Sequence, residues 1–515
     1  MIKIIHDDNN VIKVLRNEIP LDITTHKNKS ITTSLLIIAK NYPNALIIWC
    51  HKDYQNNINE QSLISIFHHK KILASYNPQN IEYLPRQIGY VEYSYYLKIK
   101  KDVTYPTWQM SSCVGGIYAD VINHLKDDIN LKDEFDYFLI SLAKRAMTEG
   151  LFCYSEPKLI IKKDGNNDTP RKTASNNELF KFVKEHYKWF WVFFLSICFI
   201  IYEKRLSSIL LLFSSLFYKR RNSLSNLEKI NVKSNRKFTI EKEVDVIIPT
   251  IGRKKYLYQV LKDLSKQTIL PKNVIIIEQN PNHGATSNLD YLTNQEWPFH
   301  IKHKFTNQAG VCNARNLALK KLESEWCFFA DDDIRFRNDL IENSFNKIQT
   351  YGISVLNFLC LQEHQKQDNF KLAQTTIFGS GCSFVKTSTI EVLKFDMAYE
   401  FGFGEDSDFG MQIREKGGDV IFIPDIKVTH LKAPIGGFRT KINQKWDNDI
   451  IQPKPSPTIY HLHEKYFTDY QLKGYKLSLS LRYYKSQNIK NPFKYIKYFN
   501  KQWGRSKYWS SRLIQ

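Results

Sequence analysis

Trp326-Cys-Phe-Phe-Ala-Asp331-Asp332-Asp333 is an apolar run that stops abruptly in three carboxylates. An unbroken apolar stretch of this length fits a strand buried on both faces, and the carboxylates would then emerge at the edge of its sheet. That edge is where open α/β sheets bind ligands, and hard carboxylate oxygens suit a divalent cation held against a phosphate. Val246-Ile-Ile-Pro-Thr250 lies upstream, Gly404-Glu405-Asp406-Ser-Asp408-Phe409 lies downstream, and His430 closes the set. An acidic pair at a helix start, far along the chain, supplies the base that such a site needs. Together these stretches point to a metal-dependent enzyme acting on a nucleotide-linked substrate.

Outward from this run, strand and helix signals alternate. Val244 to Ile248 reads as a buried parallel strand broken by Pro249, and Leu257, Val260, Leu261 and Leu264 then fall at helical spacing. Val274-Ile-Ile-Ile277 is the second strand and ends in Glu278-Gln279. Gly310 precedes a helix bearing Val311, Ala314, Ala318 and Leu322 on one face. After the Asp331 strand come Ser354–Leu361 and the Gly-rich strand Phe378–Val385, whose glycines allow close approach of a ligand or backbone. The helix from Glu405 ends at Gly417-Gly418, and Val420-Ile-Phe-Ile423 returns as the strand leading to His430.

The order of these motifs resembles the family 2 glycosyltransferases of the GT-A fold over about 244–439. The resemblance implies an α/β fold, a Rossmann-like and mostly parallel sheet flanked by helices, with a nucleotide-sugar site at the strand C-terminal ends. It makes Asp331 and Asp333 the DxD pair that holds Mg²⁺ or Mn²⁺ on the donor diphosphate, and His430 a third metal ligand. It makes Asp406 the base of an inverting displacement, with Glu405 orienting the acceptor. Pro249, Thr250, Arg253, Glu278 and Asp332 are then expected on the donor side. The acidic pair usual after the second strand reads Glu278-Gln279 here. Arg315 would contact the donor or pair with an Asp of the strand. Arg439, after Gly436-Gly437, would reach phosphate from a segment folding over the donor, or belong to a plain surface loop. Taken alone, Asp331–Asp333 would equally suit a solvated loop, and Glu405-Asp406 a helix N-terminus favoured by the macrodipole.

Composition bounds the rest. At 515 residues and 43% apolar content the chain is long enough for two or three domains with sizeable cores. The net charge of +21 suits an anionic membrane surface or phosphorylated substrates. No nucleic-acid-binding signature accompanies the spread-out lysines, so nucleic acid is not an expected partner. Eight cysteines without a CxxC pair fit thiols in a reducing compartment. The start of the chain turns polar at once, so no cleavable signal peptide is expected.

Two apolar runs, Trp189–Tyr202 and Leu206–Tyr218, are each shorter than the roughly 20 residues a spanning helix needs, and Glu203-Lys204-Arg205 interrupts them. The preferred expectation is a membrane-associated helical hairpin at 189–218, lying in the interface with cationic flanks. A buried helix pair and true spanning helices are the alternatives. The expected organisation is a smaller α/β domain at 1–165, a linker with the hairpin at 166–243, the catalytic domain at 244–440 and a basic, aromatic helical region at 441–515. The first segment carries a weak internal echo, Met110–Leu125 matching Gly379–Leu393 and Glu134-Phe135-Asp136 matching Glu405-Asp406, with Phe135 set against Asp406. It reads as a shortened, degenerate relative of the catalytic fold.

The expected function is therefore sugar transfer from a nucleotide sugar to a glycan or lipid-linked oligosaccharide in cell-surface polysaccharide synthesis. The expected location is peripheral or monotopic on the cytoplasmic face of the plasma membrane. A nucleotidyltransferase is disfavoured, because no Gly-rich activation loop follows the first strand. A catalytically silent glycan-binding or assembly protein is the remaining alternative.

Overall fold

Trp326–Ala330 is a strand, and every one of its residues is buried, as its apolar character requires. The computed structural model describes residues 1–515 apart from 9, 22–28, 80, 162–171, 225, 239–240, 366–369, 435–442 and 514–515. The chain divides into two units, Met1–Arg236 with Phe467–Leu477, and Lys237–Tyr466 with Ser478–Gln515.

The first unit holds an eight-stranded sheet of β1 (Ile2–Asp7), β2 (Asn10–Arg16), β3 (Ile19–Pro20), β4 (Leu46–His51), β5 (Ile72–Tyr76), β6 (Tyr105–Pro106), β7 (Val114–Tyr118) and β8 (Phe152–Ser155), in the order β3-β2-β1-β4-β7-β5-β8-β6. The second is built on β9 (Val244–Ile251), β10 (Asn273–Gln279), β11 (His300–Thr306), β12 (Trp326–Ala330), β13 (Ile334–Phe336), β14 (Val355–Gln362), β15 (Ala373–Thr375), β16 (Cys382–Lys386) and β17 (Val420–His430). Its order is β11-β10-β9-β12-β16-β14-β17-β13, with β15 on β17.

The α/β class is as expected, but the second sheet is mixed where a mostly parallel one was expected. β11, β10, β9 and β12 run parallel, whereas β16 is antiparallel to both β12 and β14. The physical reason lies in the connection. Parallel neighbours need a crossover, usually a helix, and no helix is described between β14 and β16. Pro249 does not break its strand either. β12 pairs with β9 only as far as Ile247, so the proline lies beyond the doubly paired part of the ladder. The crossover helix Lys254–Leu264 buries Leu257, Val260, Leu261 and Leu264, the four positions its spacing marked.

The two sheets share a plan. In each, a parallel pair (β1 with β4, β9 with β12) meets an antiparallel strand (β7, β16). A second reversal (β5, β14), a parallel neighbour (β8, β17) and an antiparallel edge (β6, β13) follow. They part company at β1. There the chain turns back at once into antiparallel β2 and β3, where β9 continues through a helix into parallel β10 and β11. The first unit is thus a shortened version of the same sheet, without counterparts of the parallel strands β10, which carries Glu278, and β11. The echo aligns differently from the sequence reading: helix Phe135–Ala146 begins one residue after Glu134, so Asp136, not Phe135, takes the second helical position that Asp406 takes in Glu405–Glu415. Asp136 also accepts from the Ser112 amide and hydroxyl, both at 2.8 Å, as Asp406 accepts from Ser380.

Residues 166–243 are more than a linker where described. Helix Asn176–His186 opens with a full capping box, Ser175 with Glu178, and the helices Phe190–Glu203 and Ser208–Ser215 follow in the same unit. No helix among the described residues is long and apolar enough to cross a membrane, so the spanning alternative is not met. None of the eight cysteines is in a disulfide. In the C-terminal region the helices Pro457–Tyr466 and Pro492–Ser510 turn Tyr460, Tyr495, Phe499 and Trp503 inward, with Tyr460 edge-on to Trp503 at 5.2 Å. Those aromatics make a core.

Asp408 ties this region to the helix Glu405–Glu415. It is 1% exposed and accepts from Lys465 Nζ at 2.7 Å, the Tyr466 hydroxyl at 2.8 Å and Gln412 Nε2 at 2.6 Å. Asp408→Ala removes the acceptor of the buried Tyr466 hydroxyl and of two part-buried donors, and is expected to cost about 1–3 kcal/mol. The measurement is a lowered urea midpoint at unchanged slope.

Candidate active site

Three strand ends build the site. β9 carries Pro249 and Thr250 just before its last residue, β12 delivers Asp331, Asp332 and Asp333 just past Ala330, and β17 ends at His430, paired with Ile334 of β13. Asp331, Asp333 and His430 each offer an atom, and these atoms lie within 4.8 Å of one another. His430 Nε2 stands 3.1 Å from Asp333 Oδ1, which is buried without an aligned hydrogen-bond donor. The other oxygen of Asp333 accepts from the Ala433 amide at 2.9 Å. Burial alone would raise the Asp333 pKa. The His430 contact, the Ala433 N–H and Arg253 outweigh it and hold the carboxyl below its usual range. The Asp333 contact in turn raises His430. Two carboxylates and an imidazole form a donor set that fits Mn²⁺ or Mg²⁺.

Asp332 belongs to a different network. It is buried, Thr250 donates to it at 2.6 Å and Arg253 Nη1 at 2.7 Å, and Arg253 also stands 3.2 Å from Asp333. Burial pushes its pKa up to about 6, against the pull of Arg253 and Thr250. Contact between Asp332 and a donor would therefore run through Arg253 or Thr250. Glu278 is likewise engaged, by the Asn288 amide at 3.2 Å and His303 Nε2 at 2.9 Å.

Asp406 faces this edge from the start of helix Glu405–Glu415, with 37% of its side chain exposed. Ser380 donates to it through hydroxyl and amide. Arg315 links the two halves, with Nη2 3.4 Å from Asp331 Oδ1 and Nη1 4.0 Å from Asp406 Oδ1. Arg315 thus does pair with the strand carboxylate. Its Nε and Nη1 are buried without a hydrogen-bond partner. Although part of the side chain meets solvent, crowding by the surrounding protein raises the Asp406 pKa, with Arg315 opposing. Burial, then the Asp406 charge, pushes Glu405 up to about 7.

Sequence reading missed several supports. Glu400 accepts from the amides of Cys312 at 3.1 Å and Asn313 at 2.8 Å, satisfying the N-terminus of helix Val311–Leu319 that carries Arg315. Its partners are distant in sequence, so no local pattern marks it. Gly310, at φ +139°, lies against that carboxylate, where a Cβ would collide. Gln279 accepts from the Gly310 amide at 2.7 Å, a role that its place in the altered acidic pair could have suggested. Gly381 has the same function beside Asp331: a Cβ there would overlap the carboxylate. Arg439 lies outside the described residues. A second cluster, Asp7, Asp8 and His51, sits at the ends of β1 and β4, but Lys52 already neutralises Asp7 at 2.5 Å.

Residues 245–399 match the family model described as glycosyl transferase family 2. The glycosyltransferase GlyG of Streptococcus pneumoniae serotype 4 is 18% identical over 234 residues, 41% of this chain and 77% of the relative. Among solved structures, S. aureus TarS 1–349 in complex with UDP-GlcNAc aligns at TM-score 0.36 and 16% identity, over 53% of this chain and 82% of that one. GalNAc-T7 with UDP, GalNAc and Mn²⁺ aligns at 0.37 and 13% identity, over 50% and 55%. This chain spans 37% of the longer TarS chain. The family match thus lies within the second unit and covers residues 245–399.

Proposed function

We propose that the second unit transfers a single sugar, with inversion, from a nucleotide-sugar donor to a glycan or lipid-linked acceptor of cell-surface polysaccharide synthesis. The observation that carries this reading is the grouping of Asp331, Asp333 and His430 on one sheet edge, joined through Arg315 to Asp406. These three residues would hold Mn²⁺ or Mg²⁺, and the imidazole favours Mn²⁺. When bound, the cation supplies Lewis-acid neutralisation of the departing diphosphate.

The protein's own groups do the rest. Asp406 takes the proton from the acceptor hydroxyl as that oxygen attacks the anomeric carbon and the bond to the β-phosphate oxygen breaks. Ser380 fixes the carboxylate, leaving the other oxygen to the acceptor. Arg315 is a buried cation with unsatisfied donors, a state that suits an anion bound only during turnover. Glu405, beside the base, orients the acceptor. The silent-partner reading has support only in the first unit, which has no counterpart of the parallel strands β10 and β11.

The donor half is tested by calorimetric titration with UDP, GDP and dTDP. One nucleotide should bind at least about tenfold tighter with Mn²⁺ than with EDTA; equal affinity in both would contradict the reading.

A pH dependence follows from the carboxylate pair. Glu405 holds its proton up to about 7 and Asp406 is also raised, so the pair titrates as one system. A base works only when ionised, so kcat/KM should fall on the acid side as Asp406, raised above the usual carboxylate range, takes up its proton, and level off at higher pH. A profile with no acid limb would remove Asp406 from the mechanism.

A further inference from the structure

We infer that the helices Phe190–Glu203 and Ser208–Ser215 dock on an anionic lipid bilayer, with a lipid phosphate seated between Lys184, Lys188 and Arg220. The first helix divides its apolar residues between two faces. Val192, Leu195, Cys198 and Phe199 are buried, while Phe190, Phe193, Ile197 and Ile201, at spacings of three, four and four, form one exposed stripe. On the second helix Leu210 is 72% exposed and Phe213 59%, and Phe217 just beyond it is 88% exposed. Exposed large side chains gathered on neighbouring helices mark an interaction surface.

Charge selects the occupant. Around these helices Glu185 is engaged by Tyr137 and Arg221, Glu203 by Tyr90, and Asp133 by Lys181 and Arg221. Lys184, Lys188, Lys204, Arg205, Lys219 and Arg220 pair with no carboxylate among the described residues. Three of them, with Tyr187, Trp189 and Phe190, line a cavity of about 360 Å³. Cations at the mouth of an apolar, Trp-flanked surface match a phosphodiester headgroup above its acyl chains. The exposed stripe would enter the upper acyl layer without spanning it. The helices are also held firmly enough to serve as a wedge. The Ser196 and Ser208 hydroxyls meet at 3.2 Å, the Tyr90 hydroxyl holds Glu203 at 2.6 Å, and Arg221 grips Asp133 with two nitrogens. A second copy of this chain would bring the same positive charge to the surface and be repelled. Anionic lipid lines the cytoplasmic leaflet, so the inference gives the chain a peripheral place on that face.

The test is co-sedimentation of the full chain with vesicles of phosphatidylcholine, alone or with about 30% phosphatidylglycerol, and does not depend on enzymatic activity. The chain should bind the anionic vesicles, and K184Q/K188Q/R220Q should weaken that binding by about a hundredfold, at roughly fivefold per cation. L210S/F217S should abolish binding, and since both positions are exposed its melting temperature should match the parent's. Absence of binding, equal binding to neutral vesicles, or unchanged binding by both variants would overturn the inference. So would a dimer in solution that L210S/F217S dissociates.

Discussion

Asp406→Asn is expected to lower sugar transfer by about 10²–10⁴-fold, the contribution of a positioned general base. The substitution is nearly isosteric, and the amide oxygen can still accept from the Ser380 hydroxyl and amide. What it removes is basicity at an oxygen facing the sheet edge. Donor affinity should therefore stay within about twofold, and the loss should fall on kcat. A merely structural Asp406, there to complement the helix N-terminus, predicts the reverse. Stability would drop by about 0.3–1 kcal/mol while turnover remained. Steady-state kinetics beside a thermal melt separates the two.

The second large effect concerns the carboxylate triplet. Asp333→Asn and His430→Ala should each weaken Mn²⁺ binding in the presence of nucleotide by more than the 10–100-fold typical of losing an outer partner of a metal ligand. The resonance of free Mn²⁺ reads this directly. Asp332→Asn is the informative contrast. Its carboxylate is committed to Thr250 and Arg253 and is not in the cluster, so Mn²⁺ affinity should change only a few-fold. Equal losses at 332 and 333 would mean that the triplet acts as one undifferentiated anionic patch.

Much of the second unit could be read from its sequence, because each cue there was local. The run 326–330 is apolar throughout and had to be buried on both faces; the four leucine and valine positions of Lys254–Leu264 fell on one helical stripe. The carboxylates at 331–333 and 405–406 were legible because charge follows immediately on apolar runs or opens a helix. Strand direction was not legible. The reversal of β16 depends on a connection with no helix among its described residues, and composition does not encode which end of the sheet that connection returns to. Pairings across distance were equally hidden, as with Glu400 at the amides of 312 and 313, or Ser380 at Asp406. Arg315 lay between these cases: its position was visible, and its two carboxylate neighbours were not. The offset between Phe135 and Asp136 arose for a similar reason, since aligned letters fix a helix start less securely than the cap that sets it.

The most direct test of the central claim is nucleotide release by the purified chain with Mn²⁺ and a panel of UDP-, GDP- and dTDP-sugars, with membrane extract as acceptor and Asp406→Asn in parallel. Release is expected from one donor class and should be abolished by EDTA and by the substitution. Release that survives in Asp406→Asn, or no release from any donor, would contradict it.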